Sequence, residues 1–174
     1  GQSGKQRCEV VSYDEATQGV VRTGDFSLDV NPGNSATDSS DLISLNSSRS
    51  VLCWSPSTGS TSGGCNVIDT PVLGGLSSPA ADNPTLLDTV VTKTSRSAAL
   101  SESSFITCYE RTASLKHTCR YFTVNETTSV IEAHGSVAVT TVASRGDPTL
   151  AALSNSTAVT CYSENAAGFS TKCA

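Results

Sequence analysis

The sequence predicts an all-β fold of about three antiparallel repeats, each with four short strands and a length of about 54 residues. One motif occurs three times: hydrophobic residues, a cysteine, an aromatic residue and, after a polar turn, a second cysteine. The composition is 37% hydrophobic and only 16% charged, with Ser, Thr, Asn and Gly making up the polar bulk. This favours strands and turns over long helices. Turn signals also separate the candidate strands at short intervals.

The three copies of the motif keep a nearly constant period. They begin with Val51-Leu52-Cys53-Trp54, Ile106-Thr107-Cys108-Tyr109 and Val159-Thr160-Cys161-Tyr162, and they end with Cys65, Cys119 and Cys173. The first cysteines are 55 and 53 residues apart, and the second cysteines 54 and 54. We therefore expect one β-repeat domain over 1–174. It divides into a partial repeat 1–36, repeat 1 at 37–92, repeat 2 at 93–145 and a partial repeat 3 at 146–174.

Each repeat contains predicted strands in the same order. In repeat 3, a turn at Asp147-Pro148 precedes strands at 149–153 and 157–162 and the start of a third strand at 171. In repeat 2 the strands are 97–100, 105–109, 117–124 and a fourth at either 129–132 or 136–142. In repeat 1 they are 42–45, 50–54, 65–68 and 85–91. Upstream, residues 5–11 and 20–30 are predicted strands of the first partial repeat.

The second and third strands of each repeat form a predicted hairpin that carries two cysteines. Directly opposed strand residues have Cβ atoms about 4.5–5.5 Å apart, a separation close to what a disulfide tolerates. We therefore predict the bridges Cys53–Cys65, Cys108–Cys119 and Cys161–Cys173. Each bridge closes a loop of roughly a dozen residues and stabilises the chain by about 3 kcal/mol in the chain-entropy model.

Cys8 is the seventh cysteine and has no first cysteine upstream of it. By spacing it matches the second cysteine of a repeat, so it competes with Cys173 for Cys161. One cysteine must remain free or bond to another chain, and we expect this to be Cys8. The strand at 20–30 is then a candidate to complete the last sheet, since circular repeat folds often close by joining their two ends.

The cysteines and three glycosylation sequons indicate a secreted protein. Spaced cysteine pairs are typical of oxidising compartments, whereas structural zinc sites use ligands two to four residues apart. The sequons begin at Asn46, Asn125 and Asn155. Asn46 and Asn155 occupy the same place in their repeats, at a predicted surface turn before the Cys-aromatic strand.

The charge and hydropathy patterns exclude two classes of partner. The net charge is −5 and no Lys/Arg cluster is long enough to follow a phosphate backbone, so we expect no nucleic-acid partner. No segment approaches the roughly 20 apolar residues that span a bilayer, so we expect no membrane insertion. The expected partners are further copies of the chain, other extracellular proteins or glycans.

The aromatic residue after each first cysteine has two interpretations. Trp54, Tyr109 and Tyr162 point to the opposite face of the strand from the cysteine. The preferred interpretation is that they pack between neighbouring sheets. The alternative is a sugar-stacking platform in every repeat, which would make the protein a lectin with one aromatic-lined site per repeat.

The sequence contains no recognisable catalytic, metal or cofactor site. His117 and His134 are the two histidines, and no G-x-S-x-G elbow is present. We expect His117 to be a solvated strand residue and His134 to lie in a turn before Gly135. The predicted function is a non-catalytic structural or assembly glycoprotein, with the lectin as the alternative.

Two segments resemble secreted tandem repeats of the propeller-blade type, which occur in algal and microbial extracellular proteins. The resemblance rests on Ala98-Ala99-Leu100-Ser101 with Ile106–Tyr109, and on Ala151-Ala152-Leu153-Ser154 with Val159–Ser163. It implies propeller-like sheets. About three units are fewer than the usual 4–8 blades, however, and a β-trefoil, which has three pseudo-repeats of four strands, remains the alternative.

Overall fold

The computed structural model describes residues 6–28, 37–56, 62–70, 84–140, 142–164 and 170–174. These residues form thirteen strands and no helix, which confirms the all-β prediction. None of them therefore belongs to a helix that could cross a membrane. The strands are β1 (Gln6–Asp14), β2 (Gly19–Leu28), β3 (Thr37–Asn46), β4 (Arg49–Pro56), β5 (Gly64–Asp69), β6 (Thr85–Leu86), β7 (Thr92–Ser101), β8 (Ser104–Arg111), β9 (Lys116–Val124), β10 (Ile131–Ala138), β11 (Ser144–Ser154), β12 (Thr157–Glu164) and β13 (Ser170–Cys173).

The strands pair into four antiparallel sheets. β1 and β2 form an N-terminal hairpin, and the other three are meanders of consecutive strands. We refer to β3-β4-β5-β6 as sheet 1, to β7-β8-β9-β10 as sheet 2 and to β11-β12-β13 as sheet 3. Within the described residues no sheet closes on itself, so neither the propeller-like nor the trefoil prediction is confirmed.

Three predicted features of the strands differ in the structure. β10 overlaps both alternative segments of the fourth strand of repeat 2, over 131–132 of the first and 136–138 of the second, and bends at a bulge between them. β6 is only two residues long, because the chain then turns inward: Leu87 is buried, and Asp88 accepts a hydrogen bond from the backbone N–H of Thr89. In the described part of the chain, β2 pairs with β1 and does not complete sheet 3.

The first strands of the three meanders lie side by side, with β7 between β3 and β11. Ser39 Oγ accepts the backbone N–H of Ser95 at 2.9 Å, and Asp41 Oδ2 accepts that of Ser97 at 2.6 Å. The acceptor moves on by two residues along β3 as the donor moves on by two residues along β7, so β3 and β7 run parallel. These contacts cap edge N–H groups of β7 that would otherwise be available to pair with another chain.

The apolar core lies between sheets 1 and 2. From sheet 1 it receives Val51 and Val67, and from sheet 2 Phe105 and Phe122, all of them buried. The two phenyl rings stack with centroids 4.9 Å apart and planes 9° from parallel. Because β-branched and aromatic side chains fit a pleated, buried surface, these residues also explain why the segments form strands.

The N-terminal hairpin carries Cys8 on β1. Its register runs from Gln6 opposite Leu28 to Asp14 opposite Gly19, and the backbone of Cys8 lies opposite Phe26. The prediction of a free or intermolecular Cys8 concerns a side chain outside the described part of the structure.

Candidate functional site: disulfide hairpins and sequon turns

Three disulfides close the hairpins between the second and third strands of the sheets. In each hairpin the two cysteines are direct partners in the strand register. The bridges are Cys53–Cys65, Cys108–Cys119 and Cys161–Cys173, with Cα–Cα distances of 4.1, 4.0 and 4.0 Å. These are the pairs that the spacing predicted, and Cys173 rather than Cys8 is the partner of Cys161.

The three bridges differ in exposure. The cysteines of sheets 1 and 2 are at most 4% exposed, whereas Cys161 is half-buried and Cys173 is exposed. Sheet 2 covers the bridge of sheet 1, where Cys53 Sγ lies 3.6 Å from Thr107 Oγ1. Sheet 3 packs on the face of sheet 2 that carries Cys119 and, two residues earlier on β9, His117. The described residues place no sheet over the third bridge.

The structure buries the three aromatic residues that were candidates for sugar stacking. Trp54, Tyr109 and Tyr162 are 3%, 0% and 6% exposed. Their polar atoms bond inside the protein: Trp54 Nε1 to Asn66 Oδ1 at 3.4 Å, Tyr109 OH to Asp88 Oδ2 at 2.9 Å and Tyr162 OH to the Val139 carbonyl at 3.0 Å. Rings with so little exposed surface cannot stack on a sugar. Tyr109 and Tyr162 lie between neighbouring sheets, as the packing interpretation predicts, whereas Trp54 is buried on the side of sheet 1 that faces away from sheet 2.

Asp88 forms a buried polar centre beneath sheet 2 that no sequence motif indicated. Its carboxylate accepts hydrogen bonds from Tyr109 OH at 2.9 Å, from Arg111 Nε at 2.6 Å and from the N–H of Thr89 at 2.7 Å. Burial alone would raise the pKa of Asp88, but these hydrogen bonds outweigh it and lower the pKa. Burial, reinforced by the bond to the carboxylate, raises the pKa of Tyr109. The centre joins side chains from separate segments and stabilises their packing.

The prediction that His117 is a solvated strand residue is wrong. The side chain is fully buried, on the face of sheet 2 against which sheet 3 packs. Its ring meets that of Tyr162 edge-on, with centroids 5.7 Å apart, and among the described residues neither ring nitrogen has a hydrogen-bond partner. Burial lowers the pKa of His117 below its ordinary value of 6.5, against the smaller opposing influence of the Gly146 backbone and the Asp147 carboxylate. The imidazole is therefore held neutral at pH 7.

His134 also differs from its prediction, since it lies in β10 rather than in a turn. Its Nε2 is 2.7 Å from Thr123 Oγ1, and its ring lies 5.4 Å from that of Tyr121. His134 is exposed and Thr123 is half-buried, and no described carboxylate orients the ring. Catalysis by a hydroxyl nucleophile needs such a third group, so this pair does not constitute a triad.

The three sequon asparagines all lie at turns. Asn46 ends β3, and its Oδ1 accepts the N–H of Ser48 at 2.9 Å. Asn125 follows β9, and its Oδ1 accepts the N–H of Thr127 at 3.0 Å. Asn155 lies exposed in the turn between β11 and β12. The first two are Asx-turns, in which an Asn side chain replaces a backbone acceptor.

The three sequon turns also lie at one end of the sheets, which we call the sequon rim. In an antiparallel meander the first and third turns are at the same end, and the second turn is at the other. Asp69 links sheets 1 and 2 at this rim by accepting Arg49 Nε at 2.7 Å and Ser129 Oγ at 2.8 Å. Sheet 3 is oriented in the same way. Its first strand, β11, starts at the end opposite the sequon rim, where Ser144 N–H donates to the Leu115 carbonyl at 2.7 Å, and it therefore ends at the rim.

Comparisons of the chain with protein-family models, with curated proteins and with solved structures give no match. Among the described residues, no group of three or more His, Cys, Asp or Glu side chains is placed to hold a metal ion. The fold and the bridges therefore define the class: a disulfide-bridged, all-β repeat protein.

Proposed function

We propose that this protein is an extracellular, disulfide-stapled structural glycoprotein that acts by assembly and not by catalysis. The observation that carries the proposal is that each meander has its own bridge between directly paired cysteines. Such bridges persist in oxidising compartments and would be reduced in a cytosol. They suit a chain with few large apolar side chains and a thin core.

The sequon rim supports glycosylation as part of this function. Asn125 and Asn155 are exposed, and Asn46 is half-buried at a turn. Glycans on these asparagines would cover one end of the sheets and leave the faces of the sheets free. A structural protein can then carry a solubilising coat at the rim while its other surfaces bind partners.

We also propose that the meanders are arranged like propeller blades. The supporting observations are the parallel first strands β3 and β7, the contact of β7 with β11, and the stacking of each sheet on the preceding one. In this arrangement, the aromatic side chain of one sheet packs against the sheet before it, as Tyr162 does on the residues of sheet 2.

The lectin alternative loses the observation that motivated it. It rested on the repeated aromatic residues, and all three are buried. We therefore do not retain Trp54, Tyr109 and Tyr162 as sugar-stacking residues.

The proposal is tested on protein recovered from the medium of a secreting host. Intact mass with and without reductant, and before and after enzymatic deglycosylation, measures the bridges and the glycans together. We expect three intramolecular bridges and glycan at Asn46, Asn125 and Asn155. Replacing Asn125 by Gln should remove one glycan without changing the bridges. Fully reduced thiols or unoccupied sequons in secreted material would contradict the proposal.

A further inference from the structure

The N-terminal hairpin has the same register as the last two strands of sheet 2. Cys8 lies opposite Phe26. Cys119 lies opposite Val137, so both members of this pair are 111 positions further along the chain. In both hairpins the register slips at a bulge within three residues of the cysteine. β1 therefore corresponds to β9, the third strand of a meander, and β2 corresponds to β10, the fourth.

The turns of the two hairpins agree at the same offset. Gln18 has a positive φ of 50° and Ser129 one of 54°, a conformation that residues other than glycine rarely adopt. Asp14 Oδ1 and Asn125 Oδ1 each accept the N–H of the residue two positions on, at 2.9 and 3.0 Å. The agreement in register, bulge and turn identifies the N-terminal hairpin as the second half of a meander.

The apolar side of this hairpin is exposed, whereas that of β9 and β10 is buried. Val11 and Val20 correspond to Phe122 and Ile131. Phe122 is 0% and Ile131 7% exposed, because both pack in the core against sheet 1. Val11 is 60% and Val20 72% exposed. The described residues thus leave the apolar side of the hairpin without a sheet against it.

Sheet 3 leaves a matching gap over sheet 2. Two positions after its second cysteine, sheet 1 carries Val67, which is 1% exposed and belongs to the same core cluster as Phe122. Sheet 2 carries Tyr121 at this position, on the side that faces sheet 3, and Tyr121 is 38% exposed. Among the described residues, sheet 3 contains no counterpart of Phe122 to cover this ring. A strand with the register of β9 would supply one if it lay beside β12.

β13 lies beside β12, and its bridge is open to exchange. All four residues of β13 are exposed, and it pairs with β12 between Ser170 and Cys173. The bridges of sheets 1 and 2 are buried. Of the three described bridges, Cys161–Cys173 is therefore the one that a thiolate of another chain can reach.

We propose that the N-terminal hairpin of one copy of the chain replaces β13 in sheet 3 of a second copy, with Cys8 bonded to Cys161. The proposal rests on the proposed assembly function and names the contact that joins the copies. By the register of β8 with β9, Val11 then lies beside Ala158 and over Tyr121. The apolar side of the hairpin is buried against sheet 2 of the second copy, as that of β9 and β10 is buried against sheet 1.

The chemical step is a thiol–disulfide exchange. The Cys8 thiolate attacks Cys161 Sγ of the second copy, and the bond between Cys161 and Cys173 breaks. Cys173 leaves as a thiolate, which takes up the proton that Cys8 lost. One disulfide replaces another, so the step needs no oxidant. The structure shows the chain before this exchange, and a freshly secreted monomer accordingly carries three intramolecular bridges.

A second copy fits this contact better than the hairpin's own sheet 3. Docked on its own sheet 3, β2 would be the strand farthest from β11, two sheets and three strands away from β3. With sheets about 10 Å and strands about 4.8 Å apart, the direct line is about 24 Å long and passes through sheet 2. Residues 29–36, which connect β2 to β3, reach about 30 Å when fully extended. A path around sheet 2 would use almost all of that length, whereas no such constraint acts between two copies.

The test mixes equal amounts of isotope-labelled and unlabelled wild-type chain. The mixture is concentrated at a pH of about 8, close to the ordinary pKa of about 8.5 of a Cys thiol, then alkylated and mapped by mass spectrometry. We expect linked peptides of Cys8 and Cys161 that join a labelled chain to an unlabelled one, together with newly alkylated Cys173. Sedimentation velocity should show species larger than the monomer in the same sample.

Two variants and a control test the side and the register of the hairpin. Val11→Lys places a charge on the side that becomes buried and should lower the equilibrium constant for exchange by about tenfold or more. The matched control is Ser12→Lys, which changes the next residue, on the opposite side of the same strand, and should exchange like wild type. A chain with Cys8→Ser and Glu9→Cys keeps one thiol on β1 but turns it to the other side, and should form no link to Cys161.

The two buried bridges, mapped in the same digest, verify that each variant is folded. Linked peptides without mixed isotopes would place the hairpin on its own sheet 3 and overturn the exchange between copies. Bonding of Cys8 to Cys8 of another copy, or equally efficient linking by the thiol of Glu9→Cys, would reduce the link to ordinary thiol reactivity. A Val11→Lys chain that exchanges as well as Ser12→Lys would exclude the apolar contact.

The remaining outcomes separate this inference from the proposed function. A secreted chain that is oxidised and glycosylated but keeps Cys8 free at every concentration would exclude the exchange and leave the proposed function intact. Fully reduced thiols in secreted material would contradict the proposed function itself.

Discussion

Mild reduction should open the three bridges in an order set by their burial. At neutral pH and limiting dithiol, we expect Cys161–Cys173 to be reduced well before Cys53–Cys65 and Cys108–Cys119. Thiol–disulfide exchange needs a thiolate to reach a sulfur atom. Cys173 is exposed, whereas the cysteines of the other two bridges lie beneath the next sheet.

The difference in reduction rate between the bridges follows from the opening of the sheets and not from the lengths of the bridged loops. The bridged residues are separated by 12, 11 and 12 positions, so the loop entropies are nearly equal, at about 3 kcal/mol each. A buried bridge is attacked only after two sheets separate. If that costs about 4 kcal/mol, a part of the roughly 5–15 kcal/mol that stabilises a typical domain, attack is slowed about 1,000-fold.

The assay traps free thiols with an alkylating reagent at intervals and maps the labelled cysteines by mass spectrometry. A chain in which Cys161 and Cys173 are both serine is the control. It should lose the fast phase and keep the slow reduction of the two remaining bridges. Equal rates for the three bridges in wild type, or a fast phase that survives in the control, would refute the link between sheet packing and bridge protection.

Four further substitutions test the interior of the protein by urea unfolding. Because the pKa of His117 is lowered in the folded chain, the unfolded chain binds the proton first as the pH falls below about 6.5. The free energy of unfolding should then decrease as the pH falls, by at most about 1.4 kcal/mol per pH unit from this group. His117→Leu should remove that contribution. A variant whose stability depends on pH in the same way as wild type would contradict the buried neutral imidazole. Phe105→Ala should lower the free energy of unfolding by about 3–5 kcal/mol, since it leaves a cavity beside the stacked Phe122, and a loss below about 1 kcal/mol would argue against that core. Tyr109→Phe should lower the free energy of unfolding by about 1–3 kcal/mol, because it removes a hydrogen-bond donor from the buried carboxylate of Asp88. Tyr162→Phe removes a donor only from a backbone carbonyl and should lower it by about 1 kcal/mol. A larger loss for Tyr162→Phe than for Tyr109→Phe would contradict the charged acceptor.

Much of the fold could be predicted from local sequence patterns. The cysteine spacing and the strand alternation together place Cys53 opposite Cys65, because both residues belong to one hairpin with a short loop and only one partner is within reach. The same reasoning holds for the other two bridges. The turn positions of Asn46 and Asn155 were predictable for the same reason, since sequence neighbours determine a turn.

Features that depend on contacts between sheets could not be predicted from the sequence. Nothing in the strand pattern of His117 distinguishes a solvated from a buried position, and its burial depends on sheet 3, which folds from a later part of the chain. Asp88 belongs to a segment predicted as a strand, and its partners Tyr109 and Arg111 lie more than twenty residues away. The early end of β6 follows from the inward turn of Leu87, a consequence of the core that it joins.

The amino-acid sequence by itself determined the covalent framework, the all-β class and the repeat period. These depend on residues that are close along the chain, where the geometry of a hairpin leaves few alternatives. Tertiary structure decided which bridges are buried and which aromatic rings are covered. Those properties arise when one meander packs on the next, and the packing partner of a strand face is not encoded in the strand's own alternation.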